Sequence, residues 1–239
     1  MHQDLWWAVR WLRKNPFFAG AVVAILALGV GANSAAFSIV DAVLLRPSPF
    51  PQPDRLVRVE KSVTGWTSTA VPFQDYQRWA GRSDIFERAA AYLRDTVTLT
   101  GGGEPEQVIA VRTLGLFSLL GVHAQSGRSL IASDDEGAQH VVIISDRLWR
   151  SRYHADPGVV GRGITMSDEA YTIVGVMPSD FEFHYPEADL WTPMRLTATT
   201  HWLHVVARLR RGVSVAQAGS ALRIVSIRWK RRHLEIARA

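Results

Sequence analysis

Residues 17–40, FFAGAVVAILALGVGANSAAFSIV, contain no Asp, Glu, Lys or Arg. A helix rising about 1.5 Å per residue needs about 20 apolar residues to cross a hydrocarbon layer of about 30 Å, and this run is long enough. With nothing ionised between Lys14 and Asp41, it also avoids the about 2.5–3.5 kcal/mol that a charge costs at the centre of an inserted helix. Helices buried in soluble cores rarely stay uncharged beyond about 18 residues. The run therefore reads as a transmembrane helix, assigned to residues 17–45. The rival is an export signal cut after Ser34-Ala35-Ala36, leaving a secreted domain that starts near Phe37. Against it, the apolar run continues through Phe37-Ser38-Ile39-Val40 and exceeds the usual signal core of about 7–15 residues.

Arg10, Arg13 and Lys14 precede the run, and basic flanks stay cytoplasmic, so the N-terminus is expected inside and everything after Leu45 outside. Residues 1–16 carry Leu5, Val9 and Leu12 at helical spacing, with Trp6, Trp7 and Trp11 beside Arg10, Arg13 and Lys14. This pattern predicts an amphipathic helix in the headgroup layer, separated from the spanning helix by Pro16. Along the spanning helix Gly20, Ala24, Ala27, Gly31, Ser34 and Ser38 fall on one stripe. Small residues let helix backbones approach closely in lipid, so the stripe reads either as the face for a partner helix or as the Gly and Ala common in any membrane helix.

The formal charge of +5 is unevenly distributed. Residues 46–207 carry 15 basic and 19 acidic groups, residues 208–239 nine and one. A nucleic-acid module needs a basic face on its folded part, and these counts give no overall surplus there. The absence of cysteine excludes a disulfide framework and a thiolate site. The Pro-rich stretch RPSPFPQPDR, 46–55, reads as a stiff spacer leading into a domain over 46–222. Strands are predicted at 56–59, 108–111, 141–144, 171–176 and 204–209. Helices are predicted over 73–80, over 146–153 behind the N-cap Ser145, and from Val215 behind Ser214. The expected fold class is α+β: one N-terminal transmembrane helix followed by a mixed α/β extracytoplasmic domain. Residues 223–239 read as a disordered basic tail.

No catalytic constellation emerges. Gly101-Gly102-Gly103-Glu104-Pro105 lacks the lysine of a phosphate loop and reads as a turn. His201 and His204, at the start of a predicted strand, fall on opposite faces, so no metal site is expected. Asp134-Asp135-Glu136 lacks the ligand spacing of a calcium loop and reads as a solvated turn. No serine after residue 60 stands in Gly-x-Ser-x-Gly. Trp66, Trp79, Trp149, Trp191 and Trp202 read as buried packing. The expectation is a non-enzymatic chain with no cofactor.

Several stretches, in order, resemble one family: VDAVLLRPSPFPQPDRLVRVE, LTGGGEPEQV, ISDRLWRSRYHADPGVVGRGI, YTIVGVMPSDFEF, ADLWTPM and HVVARLRRGVSVAQA. They look like the N-terminal half of permease subunits of macrolide-exporter-type, MacB-like ABC transporters, most of all the branch in which the permease unit is duplicated. The likeness covers residues 1 to about 222. It implies a cytoplasmic interfacial helix, a first membrane helix in the bacterial inner membrane, a periplasmic core domain, and partners in lipid, in further permease helices and in a second copy. It also implies ATP-driven export or mechanotransmission, with ATP bound by a separate cytoplasmic ATP-binding subunit. Ser48 and the stretch Thr113-Leu114-Gly115-Leu116-Phe117 depart from the pattern, and after Leu222 the likeness fades with no further membrane helix. The chain therefore reads as an N-terminal fragment, the product of a truncated gene, or a single-span relative. A membrane-anchored ligand-binding or sensor module is the alternative function.

Overall fold

The computed structural model describes residues 16–40, 50–63, 66–68, 70–100, 104–137, 139–197, 200, 202–222 and 226–228, except the side chains at 16, 18, 19, 22, 36, 38–40, 61–63, 66–68, 136–137 and 226–228. Helix α1 spans Pro16–Val40 and belongs to one unit, while Pro49–Trp229 forms the other. Every described side chain on α1 is exposed, Phe17 to 96% and Leu28 to 74%. Among the described residues no helix is long and apolar enough to cross a membrane. The α1 backbone is nonetheless helical over 25 residues with no charged position, and eight of its side chains lie outside the described set.

The second unit contains, in chain order, β1 (Leu56–Val63), β2 (Trp66–Ser68), α2 (Phe73–Ala80), β3 (Phe86–Thr100), β4 (Glu106–Leu114), α3 (Leu116–Leu120), β5 (Ser126–Gly127), α4 (Ala132–Gly137), β6 (Val141–Ile144), α5 (Asp146–Tyr153), β7 (Gly163–Met166), β8 (Glu169–Val176), β9 (Leu190–Pro193), β10 (His204–Leu209), α6 (Val215–Leu222) and β11 (Ser226–Arg228). The strands form one mixed sheet in the order β11-β1-β10-β3-β4-β9-β6-β8-β5, with β2 on β1 and β7 bridging β3 and β8. Among the described strands, only β4 with β9 and β6 with β8 run parallel. A mixed α/β domain is thus observed, as expected.

The local chemistry of the helices is explicit. Ser145 Oγ accepts the Leu148 amide at 3.1 Å and starts α5, while Asp146 occupies its first turn. At α6 the Ser214 Oγ accepts the Gln217 amide at 3.2 Å, and Gln217 Oε1 accepts the Ser214 amide at 2.8 Å, a reciprocal box that satisfies two orphan donors. In α2, Tyr76 and Trp79 lie three residues apart on the buried face.

Strands β1, β10 and the first half of β3 are covered on both faces. Val57, Val59, Val205, Ala207 and Leu209 point to a core under α2 and α6, and Leu56, Val206, Ala90 and Tyr92 to a second under α3. A third core fills the other half of the sheet around Leu99, Val142, Ile144, Leu148 and Ile173. At the far edge Gly127 pairs with Gly175, and a Cβ at either would come within 2.3 Å of a carbonyl oxygen, so two glycines are required there.

Three expectations are corrected. Trp202 is 75% exposed at a left-handed φ of 69°, so it is no core residue, whereas Trp79 and Trp191 are buried and Trp149 is partly buried; the side chain of Trp66 is outside the described set. Asp134-Asp135 is not a solvated turn but the first part of α4: Asp134 is 1% exposed, because Arg128 and the Ile131 amide satisfy its carboxylate. Residues 226–228 are not a loose tail, since they pair with Arg58, Val59 and Glu60 on the edge of β1. Residues 101–103 and His201 lie outside the described residues.

Candidate functional site

The domain begins where the chain arrives from the apolar helix, and this point is built around two arginines. Within β10 the alternation that sends Ala207 and Leu209 to one core sends Arg208 to the other face, where it is 7% exposed. A buried guanidinium must find acceptors. Arg208 Nη1 donates to the carbonyls of Pro51 at 2.5 Å and Gln52 at 3.3 Å, and Nη2 to that of Leu119 at 2.8 Å, at the end of α3. Burial lowers the Arg208 pKa, and Arg55 and Arg88 lower it further, while Glu87 opposes them. Arg55 Nε donates to the Leu209 carbonyl at 2.8 Å, and its Nη2 pairs with Glu87. That pair holds the Glu87 carboxyl below its ordinary range. The left-handed Gln52, at φ 51°, closes the turn. Chain arrival, strand end and helix end are thus joined through side chain to backbone bonds.

A second constellation lies on the same face. Tyr92 on β3 stacks on His204 of β10 at 5.4 Å and meets Phe183, His184 and Tyr185 edge-on. Arg58 bonds Glu60 at 2.8 Å and lies 3.3 Å from His184 Nε2. Burial drives the Tyr92 phenol far above its ordinary range. Burial, then His204, then Arg58 depress the His184 imidazole even though its outer edge meets solvent, so the ring is neutral at neutral pH. Among the described residues no group of His, Cys, Asp or Glu is placed to hold a metal ion. The cluster is an aromatic lock on the 181–185 loop.

The third feature is Asp135. Its Oδ2 accepts the Gly115 amide at 2.9 Å at the start of α3, while Oδ1 is buried without a hydrogen bond among the described residues. Burial raises its pKa to about 6 despite that amide, and Asp134 adds to the rise.

Of the positions singled out in the sequence, Gly20, Ala24, Ala27, Gly31 and Ser34 line α1 with exposed side chains, and nothing lies within 4 Å of a Cβ placed at Gly20 or Gly31. The side chain of Ser38 and the whole of Trp6, Trp7, Arg10, Trp11, Arg13 and Lys14 are outside the described residues. Sequence reasoning missed the Arg208 and Arg55 bonds and the Tyr92 cluster. The signal for Arg208 is its place in an alternating strand on the face of Val206.

A family described as the MacB-like periplasmic core domain matches residues 19–225. Among solved structures, the periplasmic region of MacB from Actinobacillus actinomycetemcomitans is similar at 13% identity and a TM-score of 0.56, covering 70% of this chain and 79% of that one. The extracellular domain of the noncanonic ABC-type transporter YknZ from Gram-positive bacteria is similar at 12% identity and a TM-score of 0.55, covering 69% and 88%. A domain ascribed to a permease protein from Porphyromonas gingivalis is similar at 20% identity and a TM-score of 0.55, covering 72% and 82%. At these identities the likeness shows the fold. No curated protein gives a significant match.

Proposed function

The chain belongs to the MacB-like periplasmic core domain family, and from that premise we propose that it is the membrane-anchored N-terminal part of an ABC transporter permease subunit. In this reading α1 spans the inner membrane with the N-terminus cytoplasmic, and residues 1–16 lie on the cytoplasmic surface. The domain from residue 46 stands in the periplasm, or outside the cell where there is one membrane. It is non-catalytic. ATP is hydrolysed by a separate cytoplasmic subunit, and the domain takes part in export or mechanotransmission within a dimeric assembly that includes further permease helices.

The observation that carries this reading is α1 itself. It is a 25-residue uncharged helix whose described side chains are all exposed, and the family match begins within it at residue 19. Such a surface in water forfeits about 25 cal/mol for each Å2 of apolar area, a cost removed by lipid or by other membrane helices. The stripe Gly20, Ala24, Ala27, Gly31, Ser34 and Ser38 supplies the close-packing face for those helices.

The test is carbonate extraction of membranes expressing the full chain, with protease added from the outside. Retention in the pellet and cleavage within 46–222 are expected. Release into the wash, or a domain shielded from external protease, refutes the anchored topology. Replacing Ala27 and Gly31 together by Leu is expected to abolish co-purification with permease helices, and unchanged association refutes the stripe.

A further inference from the structure

The charge on the domain is concentrated at one end. Strand β10 pairs antiparallel with both β1 and β3, so the start of β1, the start of β3 and the end of β10 coincide: Leu56 lies opposite Arg208, and Arg208 opposite Arg88. The turn before β3 and the turn after β10 are tied by the Arg210 amide donating to the Ile85 carbonyl at 2.8 Å. This end therefore collects Arg55, Arg82, Arg88, Arg208, Arg210 and Arg211 against Asp54, Asp84 and Glu87. The remaining charged residues of 50–212 number 11 basic and 16 acidic, so a net acidic body carries one basic end.

Local pairing does not neutralise that end. Asp84 is bound by Arg82 at 2.8 Å and Glu87 by Arg55. Arg210 donates to the Ser83 carbonyl at 3.0 Å and makes no salt bridge among the described residues. The side chains of Arg88 and Arg211 are exposed and make no hydrogen bond or salt bridge among the described residues. Arg88 and Arg208 sit directly opposite on neighbouring strands, a like-charge pair in which Arg208 is turned onto backbone carbonyls and Arg88 is exposed. This is also the end at which the chain arrives after the apolar helix, at Phe50–Arg55.

We propose that this arginine end is a docking surface for the anionic headgroups of the membrane, through Arg88, Arg210 and Arg211. The inference rests on the anchored reading of α1. Phosphodiester groups at the bilayer surface supply the missing negative charge, and guanidinium is suited to them by its planar fork of donors. The acidic remainder of the domain is repelled by the same surface, so one orientation is selected.

The test is hydrogen exchange on the full chain in nanodiscs of phosphatidylcholine alone or of phosphatidylcholine with phosphatidylglycerol. Amides in the turns 81–85 and 210–213 are expected to exchange about fivefold more slowly in the mixed discs, the factor that one surface arginine supplies. Arg88→Glu with Arg211→Glu is expected to erase the difference. Arg88→Lys with Arg211→Lys, which keeps the charge, is expected to retain it and shows that the end still folds. Equal exchange in both lipids, or a double reversal without effect, overturns the docking. The same slowing produced by inorganic phosphate over phosphatidylcholine discs overturns it in favour of a free-anion site. A chain that fails to stay in the discs overturns the anchored reading and the docking together, whereas a disc-bound chain indifferent to lipid charge overturns the docking alone.

Discussion

Replacing Asp135 by Asn is expected to stabilise the domain at neutral pH. The carboxylate is half satisfied: Gly115 donates to Oδ2, Oδ1 has no hydrogen bond among the described residues, and Asp134 and the buried Tyr76 face it. Its folded-state pKa of about 6 lies above the ordinary aspartate value of 3.8, with burial as the main cause. A raised acid pKa means that the folded state binds the proton more tightly than the unfolded chain. The contribution to stability is therefore fully present below about pH 4 and lost as pH rises through about 6. Two pKa units correspond to about 3 kcal/mol as an upper bound. Asp135 is partly exposed, and screening by solvent reduces that to about 1–2 kcal/mol. For a domain of this size the gain in Tm is about 3–6 °C at pH 7. The assay is thermal and urea unfolding of the full chain in detergent from pH 4 to 8, followed by fluorescence of the buried Trp79 and Trp191. The variant should gain over the wild type only above about pH 5. A difference independent of pH, or a less stable Asn variant at pH 7, refutes the reasoning.

Arg208→Leu removes three bonds to backbone carbonyls and leaves the acceptors at Pro51 and Leu119 without their donor, so a loss of about 2–4 kcal/mol is expected in urea unfolding. Gly175→Ala places a methyl 2.3 Å from the Arg128 carbonyl oxygen, and overpacking against backbone is expected to cost about 1–3 kcal/mol in the same assay. Trp202→Gly relieves a left-handed φ at an exposed side chain and is expected to leave stability unchanged or raised by about 1 kcal/mol; a loss beyond 1 kcal/mol refutes the reading of Trp202 as unpacked.

Elements whose local pattern agrees with their environment were legible in the sequence. Phe73–Ala80, Asp146–Tyr153, Val141–Ile144 and His204–Leu209 have the bounds that spacing, caps and apolar runs predict. Strand β3 was not legible, because FERAAAYLR has the composition of a helix. Its fate is decided by pairing with β10 on one side and β4 on the other, where Ala89, Ala90 and Ala91 fit between two packed faces. The hairpin of β7 and β8 turns through Ser167 and Asp168, both left-handed, without the glycine that usually marks such a turn. For the candidate site, sequence showed the acidic pair Asp134-Asp135 but not that α4 packs it beneath α3. Arg208 was hidden for the same reason: nothing local says that the facing surface offers three carbonyls.

Arrival of the chain at the start of β1 has a mechanical consequence. Strand β1 is laced antiparallel to β10 on one side and β11 on the other, and the preceding turn is held by Arg208. A tug delivered through Phe50 along the strand is carried in shear by many hydrogen bonds at once, rather than peeling them singly. The same tug applied across the sheet meets only the outermost rung. A domain wired in this way is stiff along one axis and yielding across it, so displacement delivered at Phe50 reaches the sheet as motion of a whole body.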